Sequence, residues 1–138
     1  MNSALPCCCV IRIPFDFRDG NGAVQKRFVV VGHEQGAAIA IKAASSRLER
    51  YGVRPEQYAG IVFLPASSIE PFRRDTVIDP SNMFAIPHGD LETHHRRNQL
   101  TVWPPIEGLK ESLCTAVSQN HTLEQARIEG LRRCLGCA

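Results

Sequence analysis

Residues 16–32 read DFRDGNGAVQKRFVVVG, and this stretch decides the fold that we predict. A polar, glycine-rich loop ends at two adjacent cations, Lys26 and Arg27, which stand directly before the apolar run FVVV. Asn21 and Gly22 can supply the positive φ of a primed hairpin turn, so a strand is expected on each side of the loop. The simpler interpretation is a hairpin with a solvated end. The alternative is that the loop and the two cations bind a phosphate backbone.

Short apolar segments extend this hairpin along the chain. We predict strands over 8–15, 27–31, 37–43, 60–64, 75–79 and 83–87, with a turn over 79–82. A short helix is expected over 45–52, with Ser45 or Ser46 as its N-cap and Gly52 at its end. Because strand follows strand without βαβ alternation, the pattern favours a small antiparallel β-barrel over a parallel sheet. The predicted fold class is mainly β with α.

The character of the sequence changes after residue 91, which predicts a β-barrel over 1–91 and a C-terminal part over 92–138. Residues 92–105 are polar, end in two prolines and predict a connection across the surface. Apolar residues then recur at helical spacing: Ile106, Leu109, Leu113, Ala116 and Val117. A second helix is predicted to start with a capping box at Thr122 and to end at Gly136. We expect both helices to pack on the same domain, or to make a dimer contact.

Composition limits the class of protein. The chain has 138 residues, of which 43% are hydrophobic and 22% charged, as in a soluble single domain. It contains no apolar run of membrane-spanning length and starts without the pattern of a secretion signal, so we expect a cytoplasmic protein with no membrane partner. Net charge is only +2, but the cations comprise thirteen Arg and three Lys. This ratio favours recognition of phosphate or carboxylate, although genomic composition bias explains it equally well.

The six cysteines and five histidines invite a metal or disulfide interpretation. Cys7, Cys8 and Cys9 are consecutive, so their side chains cannot all face one metal ion in a strand. Cys134 and Cys137 form a CLGC motif without a second pair at zinc-ribbon spacing. We therefore predict reduced thiols, no metal site and no cofactor.

The histidines have separate interpretations. We predict that His33 lies in a solvated turn. His88 follows a strand and could serve as a general base near neutral pH, and it could equally be a surface residue. The run His94-His95-Arg96-Arg97 suits a phosphate rim or an acidic partner, although a solvated surface explains it as well.

Three segments, in chain order, carry a family resemblance: KRFVVVG at 26–32, AIAIKAASS at 38–46 and DTVIDPSN at 75–82. Over roughly residues 8–91 the chain resembles the MazF/PemK family of bacterial toxins. The resemblance implies an SH3-like antiparallel β-barrel that acts as a homodimer. It also implies metal-independent endoribonuclease activity on single-stranded RNA and inhibition by a cognate, acidic antitoxin.

The resemblance also implies roles for individual residues. Arg27 stands at the position of the family's catalytic arginine. Ala44 occupies the place of a family threonine, so Ser45 or Ser46 would have to supply the hydroxyl. Asp79 matches an aspartate of a later strand, whereas Val77 stands where some members have an arginine.

These residues suit metal-free RNA cleavage, in which the 2′-hydroxyl attacks the adjacent phosphorus. Arg27 would stabilise the charge on the phosphate, Asp79 would be the base, and a serine hydroxyl would bind the phosphate. Each has a plainer interpretation: an ion pair of Arg27 with Asp16 or Asp19, a helix cap, and a turn residue.

RNA binding by the loop is expected from four residues: Phe17, Arg18, Asn21 and Lys26. An exposed aromatic ring among cations is typical of single-strand binding, because bases stack on the ring while the cations hold phosphates. We predict that Phe15 and Phe28 lie in the core instead. Two alternatives to the nuclease stay open: a non-catalytic barrel module that binds RNA or a protein partner, and a homodimer that acts through another protein.

Overall fold

The computed structural model describes residues 5–16, 20, 22–44, 59–67 and 70–137. Within these residues the chain forms six strands and three helices, so the fold is mainly β with α, as predicted. The strands are β1 (Val10–Asp16), β2 (Ala23–Glu34), β3 (Ala37–Ala44), β4 (Val62–Leu64), β5 (Thr76–Pro87) and β6 (Thr101–Trp103). The helices are α1 (His88–Arg96), α2 (Leu109–Gln119) and α3 (Gln125–Leu135). The helix predicted over 45–52 lies outside the described residues.

The six strands form one antiparallel sheet in the order β4-β5-β3-β2-β1-β6. The predicted meander of the first three strands is confirmed, since β2 pairs with β1 on one side and with β3 on the other. Among the described residues no pairing joins β4 to β6, so these strands are the two edges of the sheet. Closure into a barrel therefore stays a prediction.

Alternation along β2 explains why the sheet is covered on both faces. Val29 and Val31 point to a core shared with α2 and α3, whereas Phe28 and Val30 point to a second core on the other face. All four side chains are fully buried. The ring of Phe28 packs against Phe15 and Phe84, with centroids 5.1 and 5.8 Å away. The prediction that Phe28 is a core residue is confirmed, while Phe15 is half-buried.

The two strands predicted over 75–79 and 83–87 are a single strand, β5, and the predicted turn between them is wrong. On β3 only one residue separates Ile41 from Ala43, but their partners on β5, Met83 and Ile78, are five positions apart. The surplus residues form an irregularity that bends the strand without ending it. Asp79 accepts hydrogen bonds from the backbone and hydroxyl of Ser81, which stabilises this bend.

The surface connection predicted over 92–105 is also wrong. This segment contains most of α1 and all of β6, and β6 pairs with β1 so that Trp103 lies opposite Val10. Leu91 is fully buried and anchors α1 in the second core. The sheet thus extends past residue 91, because β6 pairs with β1. One buried leucine and a three-residue edge strand are sufficient to give this polar segment regular structure.

Helices α2 and α3 cover the first core. The capping box predicted at Thr122 is wrong: α3 begins at Gln125, and the Thr122 hydroxyl donates a hydrogen bond to Asn120 Oδ1 at 2.6 Å. The predicted end at Gly136 is confirmed by its φ of 72°. A Cβ on Gly32 of β2 would lie 2.9 Å from Cys134 Cβ, so glycine allows α3 to approach the sheet closely.

A disulfide joins Cys114 in α2 to Cys137, which follows α3. The prediction of reduced thiols is therefore wrong for this pair, while Cys7, Cys8, Cys9 and Cys134 are free. In the sequence the pair was hidden because its members are 23 residues apart. The longest helices among the described residues have 11 residues, and none could cross a membrane.

Candidate functional site

A cleft of about 350 Å³ opens where β2 and β3 lie beside the segment that precedes β5. Phe28 pairs with Lys42, so the preceding residue, Arg27, reaches the same end of the sheet as the last residues of β3. We call this the Arg27 cleft. It is lined by Gln25, Lys26, Arg27, Lys42, Ala43, Ala44, Glu70, Pro71, Phe72, Arg73, Arg74 and Thr76.

The Arg27 cleft is strongly basic. Of its described lining residues five are cationic and one is a carboxylate, although the whole chain carries a net charge of only +2. The cations are Lys26, Arg27, Lys42, Arg73 and Arg74. A concave surface lined by one sign of charge focuses the electrostatic field and concentrates oppositely charged ligands. The cleft is therefore suited to an anion with several charges.

Arg27 is held in place by two contacts while part of its side chain remains accessible. Its Nη2 donates a hydrogen bond to Glu70 Oε2 at 3.0 Å, and its guanidinium carbon lies 5.5 Å from the centre of the Trp103 ring. The side chain is 33% exposed. Its Nε is buried and has no hydrogen-bond partner among the described residues. The exposed part of the guanidinium, and not the buried Nε, is therefore the part of Arg27 that a ligand could contact.

Glu70 is one of the cleft residues that the sequence did not predict. Its Oε2 accepts the bond from Arg27, and its Oε1 lies 4.0 Å from Arg73 Nε. The carboxylate therefore lies between two cations of the cleft, with 40% of its side chain exposed. This ion pair joins residues 43 positions apart in the chain, and Asp19, one of the two aspartates predicted to pair with Arg27, lies outside the described residues.

Asp79 is not among the residues that line the Arg27 cleft. Its Oδ1 accepts hydrogen bonds from Ser81 N at 3.0 Å, from Ser81 Oγ at 2.8 Å and from Asn120 Nδ2 at 3.2 Å. Asn120 also donates to the carbonyl of Gly60 at 2.9 Å, so it connects the end of α2 both to β5 and to the segment that precedes β4. These contacts give Asp79 a structural role in the bend of β5.

Of the other residues predicted for the site, Lys26 lines the cleft beside Arg27. Ser45, Ser46, Phe17, Arg18 and Asn21 lie outside the described residues. Ala44, which the sequence resemblance aligns with a hydroxyl residue of the MazF/PemK family, lines the cleft.

Thr76 brings a hydroxyl to the Arg27 cleft, but this group is already engaged. It donates a hydrogen bond to the carbonyl of Arg74 at 2.9 Å, and Thr76 is only 2% exposed. The hydroxyl therefore stabilises the turn that carries Arg74. It is not available to hold a ligand in this conformation.

Arg73 and Arg74 had a signal in the sequence, because two adjacent cations stand in a proline-containing polar segment. The resemblance to the MazF/PemK family does not predict them for the site, because it aligns Val77 with an arginine of some members. Lys42 had a weaker signal, as a single cation in an otherwise apolar strand. Its place in the cleft follows from its pairing with Phe28.

The histidines give a second polar cluster, away from the Arg27 cleft. His33 Nδ1 lies 2.8 Å from His88 Nε2, and His33 Nε2 lies 2.8 Å from the carbonyl oxygen of Leu5. The prediction that His33 is solvated is therefore wrong, since both of its ring nitrogens have partners. Within the described residues no three metal-ligating side chains come together.

The cysteines lie in environments that keep their thiols neutral. Burial raises the pKa of Cys8 to about 12 and that of Cys9 to about 11, and the neighbouring Cys7 adds to both shifts. Burial, together with a hydrogen bond to Glu34, raises the pKa of Cys134 to about 11. A nucleophilic cysteine needs the opposite shift. These three thiols are thus structural.

Comparison with known proteins leaves the family open. No protein-family model matches this chain, and no curated protein matches it. The functional interpretation therefore depends on the chemistry of the Arg27 cleft and on the resemblance of the three sequence segments.

Proposed function

We propose that the protein binds single-stranded RNA in the Arg27 cleft and cleaves it without a metal ion, as a toxin of the MazF/PemK type. The observation that carries the proposal is the cluster of five cations around Arg27. A run of cations in one groove matches a chain of phosphates better than a single small anion. The guanidinium of Arg27 adds a planar fork that can contact two phosphate oxygens.

The chemistry requires three actions at one phosphodiester. A base removes the proton of the 2′-hydroxyl, a cation stabilises the charge on the phosphate oxygens, and the leaving 5′-oxygen is protonated. Arg27 has the second role, because it is permanently charged and its side chain is partly exposed in the cleft. The remaining cations of the cleft position the flanking phosphates.

The proposal extends to fold and assembly. We propose that the sheet is the bent, SH3-like barrel of this family, supported by the register shifts in the β2–β3 and β3–β5 pairs. As in that family, the protein would act as a homodimer in the cytoplasm, inhibited by a cognate acidic antitoxin. In that reducing compartment the Cys114–Cys137 pair would face the thiol pool.

The test is an RNA cleavage assay in EDTA with purified protein. Arg27→Ala should reduce the rate about 100- to 1,000-fold, the usual effect of removing one charge-stabilising donor. Arg127→Ala is the matched control, because Arg127 is exposed on α3 and does not line the cleft. RNA that stays intact at high concentration of folded protein would refute the nuclease.

A second candidate, a non-catalytic module that binds RNA, is favoured by two observations. Ala44 brings no hydroxyl to the cleft, and the carboxylate of Asp79 is engaged by Ser81 and Asn120. This candidate predicts salt-sensitive binding of RNA without any cleavage. The same assay therefore distinguishes the two functions.

A further inference from the structure

The proposed cleavage needs a general base, and the Arg27 cleft contains one carboxylate among its described lining residues, Glu70. Its side chain is 40% exposed, so a substrate hydroxyl can reach it. Asp79, the base predicted from the sequence, does not line the cleft and already accepts hydrogen bonds from Ser81 and Asn120. The choice between these two carboxylates follows from their positions.

Glu70 lies beside the cation that would hold the reacting phosphate. Only 3.0 Å separates its Oε2 from Arg27 Nη2. A guanidinium has five N–H donors, so Arg27 can contact Glu70 and a phosphate oxygen at the same time. A nucleotide whose phosphate is bound by Arg27 would therefore bring its 2′-hydroxyl close to this carboxylate.

We infer that Glu70 is the general base of the cleavage, an inference that rests on the proposed function. Its carboxylate takes the proton of the 2′-hydroxyl as the 2′-oxygen forms a bond to phosphorus. The bond between phosphorus and the 5′-oxygen breaks, and that oxygen takes a proton from water. The hydroxide left behind accepts the proton held by Glu70, which restores the carboxylate. The products are a 2′,3′-cyclic phosphate and a 5′-hydroxyl.

The variant that isolates this role is Glu70→Gln. Glutamine keeps the shape and an oxygen that can accept the hydrogen bond from Arg27, but it cannot take a proton. In EDTA at pH 7, the rate on a single-stranded RNA oligonucleotide should fall about 100- to 10,000-fold, the range for a general base. The rise of kcat/KM with pH on the acid side should disappear. Affinity for a 2′-O-methyl RNA should stay within about threefold or increase, because the change removes a negative charge.

Glu107→Gln is the matched control, since Glu107 is exposed and does not line the cleft. It should keep the rate and the pH profile of the unaltered protein. If the protein cleaves RNA and Glu70→Gln retains the acid side of the profile, Glu70 is not the base and the proposed function stands. If Asp79→Asn, and not Glu70→Gln, loses the rise of kcat/KM on the acid side, the assignment of Glu70 as the general base is also overturned. If the unaltered protein binds RNA but leaves it intact, the nuclease and its base are refuted together.

Discussion

The Arg27 cleft predicts how RNA binding should depend on salt. Each phosphate neutralised on a single strand contributes about 0.7 to the slope of log affinity against log salt concentration. The cleft offers five cations and one carboxylate, Glu70, which forms ion pairs with Arg27 and Arg73. Contact with four or five phosphates gives a slope of about −2.8 to −3.5. Raising the salt from about 50 to about 200 mM should then weaken binding about 50- to 130-fold.

Arg73 provides the perturbation. Its side chain is 68% exposed and lines the cleft, so Arg73→Ala should remove one phosphate contact without unfolding the protein. We expect the slope to become shallower by about 0.7. Arg127→Ala removes the same charge from a site outside the cleft and should leave the slope unchanged. The assay is fluorescence anisotropy of a labelled 2′-O-methyl RNA, which cannot be cleaved through its 2′ position. Equal slopes for the two variants, or a slope shallower than about −1 for the unaltered protein, would refute the assignment of the cleft.

Two further predictions concern stability. Phe28→Ala should lower the free energy of unfolding by about 3 to 5 kcal/mol, because the ring is fully buried between Phe15 and Phe84. The control is Val24→Ala, at a side chain that is 38% exposed, which should lower it by about 0.5 kcal/mol or less. Denaturant titration measures both values, and equal losses would contradict the described core. The contribution of Cys8 and Cys9 to stability should be constant well below pH 9 and be lost as the pH rises from 9 towards 11, because these thiols ionise near 9.0 when unfolded but have pKa values of about 12 and 11 when folded. Replacing both cysteines with alanine should therefore make the loss of stability above pH 9 smaller, and curves of equal slope for the variant and the unaltered protein would contradict the burial of these thiols.

Local pattern was sufficient for the central strands. The run FVVV alternates between two cores, and the strands on either side of it follow from the same apolar periodicity. The prediction from local pattern failed for elements that only a few buried or paired residues hold in place. Helix α1 has one buried residue, Leu91, and strand β6 has three residues, so neither gives a recognisable apolar pattern within this polar segment.

The site divides in the same way. Lys26 and Arg27 could be assigned because they are adjacent cations directly before the run FVVV, although β2 begins at Ala23 and both residues lie within this strand. Glu70 could not be assigned from the sequence, because it is 43 positions from Arg27 and only the tertiary fold brings its Oε2 within 3.0 Å of Arg27 Nη2. Asp79 had the expected type and position in the sequence, but its carboxylate serves the bend of β5.

The disulfide between Cys114 and Cys137 makes a covalent ring of the last two helices. A protease that cuts the exposed residues His121 or Thr122 would therefore leave a nicked chain whose pieces migrate together in electrophoresis. Only a reducing agent would release the C-terminal fragment. A single cut between Cys114 and Cys137 would therefore not be seen by electrophoresis under oxidising conditions.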